Sequence, residues 1–265
     1  MTATRHAAVA GSFYPDDPTE LRAVVDAYLE DAGRHAGAGL APKALIVPHA
    51  GFIYSGPVAA RAYAALRSLD RHIERVVLVG PSHFAYIRGL AVPTVERFET
   101  PLGPVPLDRD AIESLRALPQ VTVDDAPHRR EHSLEVQLPF LQCTLGDFRL
   151  MPLAVGESTP AEVAGVLEMV WGGAETLIVI SSDLSHYHDY YDAQALDRAT
   201  ADAIESGDIA HLNGEGACGF LGIAGLLTRC GALGLRLDRL DLRNSGDTAG
   251  PKAQVVGYGA WATQS

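Results

Sequence analysis

The stretch TLIVISSDLSH, Thr176–His186, decides the fold. Its first half is an apolar, β-branched run of strand length with none of the polar alternation of a half-exposed strand. It therefore reads as a strand buried on both faces, as in a parallel sheet covered by helices. Its second half turns polar at once and ends in a histidine. Two other stretches repeat the pattern: ALIVPH, Ala44–His49, and RVVLVGPSH, Arg75–His83. Further strand-length runs occupy Leu90–Val92, Arg149–Val155 and Val255–Trp261.

Between these runs lie segments at helical spacing. Val58, Ala59, Ala62, Tyr63 and Leu66 share one face, as do Val163, Val166, Leu167 and Val170. Leu21–Tyr28, Leu196–Ile204 and Phe220–Leu233 read the same way. Strands alternating with helices imply βαβ units, so the expectation is one α/β domain over residues 1–265, with a largely parallel or mixed central sheet flanked by helices. The Pro/Gly-rich segment Val92–Pro106 reads as an excursion or hairpin attached to the sheet, and Gly33–Pro42 as the most loop-like part of the chain.

Composition narrows the partners. With 265 residues, 47% hydrophobic and 20% charged, the chain is of ordinary globular type. The 21 Lys+Arg stand against 33 Asp+Glu, a formal charge of −12 that repels nucleic acid and anionic membrane surfaces. Cys143, Cys218 and Cys230 form no CxxC pair and no disulfide framework. No stretch approaches the roughly 20 apolar residues of a membrane span, and the N-terminal residues have no apolar run of signal-peptide length. A cytoplasmic location is expected, with neither nucleic acid nor membrane as partner.

Histidine is in surplus, at ten residues against three methionines and two tryptophans. In open α/β sheets, loops at the carboxyl ends of the strands converge on one crevice. His49, His83 and His186, each closing one of the repeated stretches, are thereby expected together. Convergent imidazoles suit a divalent metal, with positions left for water or substrate. Around His49, the glycines of PHAGFIYSG (48–56) permit a tight βα turn, and Ser55 is a candidate cap for a helix starting near Pro57. Asp183, three residues before His186, can fix an imidazole tautomer or act with it as general base. In EHSLEVQLPFL (131–141), His132 is a further site candidate, whereas Glu131 and Glu135 are expected to favour the start of a helix. His188 reads as a solvated loop residue. His6, His35, His72, His128 and His211 lie in polar or terminal contexts and are assigned nothing.

Taken in order, AGSFYP (10–15), PHAGFIYSG (48–56), GPSH (80–83), EHSLEVQLPFLQ (131–142), SSDLSH (181–186), GACGF (216–220) and RNSGD (243–247) resemble the Memo family, whose bacterial and archaeal members are called AmmeMemoRadiSam system protein B. The resemblance covers essentially the whole chain. It implies a fold similar to class III extradiol ring-cleavage dioxygenases of the LigB type, which hold non-haem Fe(II) on two histidines and a carboxylate. His49 and His83 match the metal-binding histidines and His186 the acid/base histidine, with Asp183 beside it. The animal branch is associated with copper or iron on two such histidines and a cysteine. Leu242 stands at the matching cysteine position here, so Asp241, Asp247 or His186 would have to complete the site. Cys218 is expected to line the pocket or serve structure.

Two functions follow from the resemblance. One is a metal-dependent, dioxygenase-like oxidoreductase, with Fe(II) first among the candidate ions and copper or zinc as alternatives. The other is a binding or accessory module that recognises a peptide or small molecule, or works with radical-SAM and AMMECR-type partner proteins. A dinucleotide-binding oxidoreductase is disfavoured, because no GxGxxG follows the first apolar strand.

Overall fold

In the structure, a computed structural model that describes residues 3–34, 41–68 and 72–264, twelve strands form among the described residues. They are β1 (Thr4–Arg5), β2 (Ala44–Val47), β3 (Arg75–Pro81), β4 (Leu90–Val92), β5 (Arg97–Thr100), β6 (Gly103–Pro106), β7 (Val121–Val123), β8 (Arg149–Val155), β9 (Thr176–Ser181), β10 (His186–His188), β11 (Leu237–Asn244) and β12 (Val255–Thr263). Nine of them build one mixed sheet in the order β10-β12-β2-β9-β3-β8-β4-β7, with β11 also paired to β12.

The middle of this sheet is parallel: β2 runs alongside β9, and β3 lies between β9 and β8. Antiparallel partners flank it, β12 against β2 and β4 against β8. Each residue of β2 and β9 is buried. Because successive side chains point to opposite faces, such strands are covered on both sides, and their near-continuous Val/Ile/Leu composition follows from that burial. The helix Phe52–Ala64 packs on β2 and β12 and carries the helix Pro18–Gly33 on its outside, while the helices Pro160–Val170 and Phe220–Leu233 pack together beside β3 and β9.

Local chemistry fixes the helix ends. Asp17 accepts hydrogen bonds from the Thr19 and Glu20 N–H groups ahead of the first helix, and Thr159 forms a capping box with Glu162 before Pro160. Gly234, at φ 69°, closes the helix Phe220–Leu233 in the left-handed conformation that a glycine adopts without steric cost.

Most of the expected elements form where the sequence places them, with some differences. The segment Val92–Pro106 contains a hairpin, β5 and β6, but it belongs to a separate three-stranded sheet with β1. The helix expected near Pro57 starts at Phe52, so Ser55 lies inside it and gives its hydroxyl proton to the Ala50 carbonyl instead of capping an end. The loop expected over Gly33–Pro42 lies largely outside the described residues. No helix among the described residues is long and apolar enough to cross a membrane.

Candidate metal centre

Since β2, β9 and β3 run parallel, the loops that follow them leave the sheet at the same edge. His49 follows β2 by two residues, His83 follows β3 by two, and Asp183 follows β9 by two. The fourth member of the site comes from the segment 131–135, which lies across the end of β3. Gly80 makes that approach possible, because a Cβ there would meet Ser133 Oγ at 2.7 Å and Leu134 Cδ2 at 3.0 Å.

Three imidazoles meet at this edge. One ring nitrogen each from His49, His83 and His132 lies within 4.8 Å of the other two, as ligands of one cation would. The His83 and His132 rings stack with centroids 4.7 Å apart, and His49 meets them edge-on at 5.3 and 5.4 Å. His186 stands outside this trio, on the wall of the adjoining cavity with Asp183 and His132.

Oxygen atoms orient each ring. The buried Glu131 accepts from the His83 backbone N–H at 2.6 Å and faces His83 Nδ1 at 2.8 Å. The same carboxylate caps the Ser133 N–H at 2.9 Å, so the expected helix-start role coexists with a second one. Burial alone would raise the Glu131 carboxyl, but the bonds and positive charge from His83 outweigh it and hold the group down to about 2. An ionised Glu131 accepts from His83 Nδ1–H and leaves Nε2 bare, the usual arrangement behind a metal-bound histidine. His49 Nδ1 lies 3.0 Å from Ser181 Oγ.

Burial lowers the basicity of the rings. His49 is pushed down to about 3 by burial and then by the neighbouring His83, and His132 to about 4 by burial and then by His49. Both are therefore neutral imidazoles at neutral pH, the state in which a histidine can donate a lone pair.

Asp183 ties the site to its loop by accepting from the His49 N–H at 2.7 Å and the Ala50 N–H at 3.3 Å. Burial raises its carboxyl against the effect of those bonds. Cys218, expected to line the pocket or serve structure, lies with Sγ 3.4 Å from His49 Nε2, and burial pushes its thiol up to about 12. Leu242 instead lies within β11, opposite Gly259. Neither carboxylate beside it joins the imidazoles: Asp241 is bound to Arg243, and Asp247 to the Asn244 N–H and the Tyr190 hydroxyl.

A cavity of about 370 Å³ opens beside the trio, walled by Phe13, Tyr54, His132, Asp183, His186 and Tyr187 among others. The Phe13 ring packs 4.9 Å from that of His132. Tyr187 adopts φ 62°, a left-handed backbone rare outside glycine, and leaves its side chain 71% exposed at the cavity. A larger groove of about 620 Å³ lies at the opposite ends of β3 and β8, by Glu74 and Arg149, and contains none of the clustered imidazoles.

Two buried groups have roles that local sequence did not announce. Glu135 sits under the N-terminal segment, where it pairs with Arg5 and accepts from the Ala8 and Val9 N–H groups at 2.7 and 3.0 Å and from the Tyr14 hydroxyl. His128, expected in a polar context, is 1% exposed. Its Nε2–H donates to the Ala91 carbonyl at 3.1 Å, which leaves Nδ1 without a partner among the described residues.

Comparison with known proteins places the chain in a family over nearly its whole length. The sequence pattern of the family described as Memo-like protein is matched over residues 5–262. A MEMO1 family protein of Archaeoglobus fulgidus is 36% identical over 269 residues, covering 96% of this chain and 97% of the relative. One from Aquifex aeolicus is 36% identical over 271 residues, covering 96% and 97%, and one from Sulfolobus acidocaldarius 34% over 274, covering 95% and 96%. With the motifs from AGSFYP to RNSGD falling inside the matched span, the chain belongs to the Memo family.

Proposed function

We propose that the chain binds a divalent metal through His49, His83 and His132 and acts as a non-haem-iron, dioxygenase-like oxidoreductase on a small molecule held in the adjoining cavity. The observation that carries this reading is the approach of three imidazole nitrogens to within 4.8 Å of one another. The donor set fits such an ion: the rings are neutral or backed by a carboxylate, and nitrogen ligands suit Fe(II), copper or zinc alike. Iron bound there would supply open coordination positions and redox chemistry. The location, at the carboxyl ends of parallel strands, supports a fold of the LigB type.

The chain's own residues divide the remaining work. Asp183, in the loop after β9, and His186, the first residue of β10, face the cavity and are placed to take or give a proton at the ligand. Phe13, Tyr54 and Tyr187 offer aromatic walls that orient the ligand and exclude water. His186 serves here as acid/base, and His132 takes the third ligand position for which His186 was the sequence candidate.

A second reading, a binding or accessory module in the cytoplasm, draws on the exposed aromatic side chains of Phe84 and Tyr187 near the histidines. Its ligands would be peptides, or radical-SAM and AMMECR-type partner proteins.

Elemental analysis of protein purified without oxygen tests the metal site. His49→Ala, His83→Ala and His132→Ala should each lose the ion, while His186→Ala should keep it. Undiminished metal in the first three variants would end the reading. Oxygen consumption over a panel of catechols then separates the two functions, because a binding module carrying iron shows no turnover.

A further inference from the structure

We infer that Gln137 is a positioning residue for this site: acting through Ser181, it fixes the His49 ring with its proton on Nδ1 and its lone pair on Nε2, the nitrogen that faces Cys218 Sγ at 3.4 Å and that would bind a cation. The metal-binding consequence rests on the function proposed above, whereas the tautomer itself does not. In sequence, Gln137 reads as one more position on the inward face of the segment 131–141. In the structure it is fully buried, as are Tyr63 and Ser181, the groups on either side of it.

A proton count leads to the assignment. The Ser181 hydroxyl has one proton, and its contact with the Ser133 carbonyl at 2.6 Å takes it, since a carbonyl can only accept. Each other bond to Ser181 Oγ must then be donated to it. Gln137 Nε2 donates one, at 2.8 Å, and His49 Nδ1 must donate the other, at 3.0 Å. A neutral imidazole protonated on Nδ1 carries its lone pair on Nε2.

Gln137 matters because its amide cannot turn over without penalty. Its second Nε2 proton goes to the Pro48 carbonyl at 2.9 Å, and its oxygen accepts from the Tyr63 hydroxyl at 2.9 Å. A flipped amide would set oxygen against the Pro48 carbonyl and present Ser181 with an acceptor. Ser181 would then be drawn to give its proton to Gln137, which weakens the constraint on His49. The bond to Pro48, next to His49 in the chain, also holds the loop that carries the ring. With the whole relay buried, water does not replace a missing partner without disrupting the packing.

The test uses chelator-stripped protein labelled with ¹⁵N at histidine, with long-range proton–nitrogen correlations assigned to His49 by their loss in His49→Ala. The native protein should show a bare Nε2. Folded Gln137→Glu, which sets an acceptor oxygen against Ser181 in place of the amide N–H, and Ser181→Ala should show a mixture of tautomers, and Tyr63→Phe, the mildest of these changes, a partial shift. Zn(II) affinity of Gln137→Glu and Ser181→Ala should fall about 10–100-fold. A native tautomer pattern retained in Gln137→Glu, or in Tyr63→Phe should Gln137→Glu not fold, would overturn the inference. A shifted tautomer with unchanged Zn(II) affinity would uphold the role of Gln137 and count against the metal reading.

Discussion

Glu131 grips His83 at two points, taking the backbone N–H on one carboxylate oxygen and facing ring Nδ1 with the other, at 2.6 and 2.8 Å. The ring is thereby fixed both to its own loop and to the segment that supplies His132. Glu131→Gln keeps the shape but must turn an amide N–H toward one of the two donors. Zn(II) affinity, read by competition with a chelator, is expected to drop about 10–100-fold with little change in far-ultraviolet circular dichroism. Equal affinity in the variant would remove Glu131 from the site.

The pair Arg5–Glu135 is buried at both ends. Arg5→Met leaves the Glu135 carboxylate without its cation in the interior. The expected loss is about 3–5 kcal/mol in urea unfolding, the range for breaking one partner of a buried pair. A loss below about 1 kcal/mol, the range of exposed pairs, would mean the charge is solvated.

His128 is held down to about 4 by burial, well below the usual histidine value of about 6.5. Between those values the unfolded chain binds more protons than the folded one, so stability contributed by neutral His128 is complete above pH 6.5 and is lost as pH falls toward 4. His128→Gln can still donate to the Ala91 carbonyl but does not titrate. Its unfolding free energy should fall less steeply than the native one over that window, by an amount on the order of 3 kcal/mol. Parallel curves would contradict the assignment.

Asp197 has the opposite sign. Burial pushes its carboxyl up to about 6, although the Ser185 N–H donates to it at 3.0 Å. The folded protein therefore holds the extra proton between about pH 4 and 6, and stability falls as pH rises through that window. Asp197→Asn retains an acceptor for Ser185 and cannot ionise. It should match the native melting temperature near pH 4 and exceed it at pH 7.5, and a lower value at both would refute this account.

The legible parts of the chain were those whose signal is local. Buried parallel strands have to be apolar at consecutive positions, so β2, β4 and β8 coincide with the apolar runs read from sequence. The approach of His49 to His83 followed from strand direction, whereas His186, expected with them, stands on the cavity wall outside the trio. β11 went unread because Leu237–Asn244 mixes charged residues with leucines and is only partly buried. His132 as a neighbour of both other rings was equally hidden, since it depends on Gly80 admitting the segment 131–135 against β3. Arg5 and Glu135 are 130 positions apart, and no window of spacing connects them.

That distance along the chain also orders events in time. The side-chain partners of Arg5 are at His128, Glu131 and Glu135, and the strand that pairs with β1 begins at Arg97. The segment that carries Arg5 therefore completes its contacts only once residues 97–135 are there to receive it. Phe13, carried on that segment, arrives with it, so the wall of the cavity against His132 closes only once the centre of the fold exists to receive it.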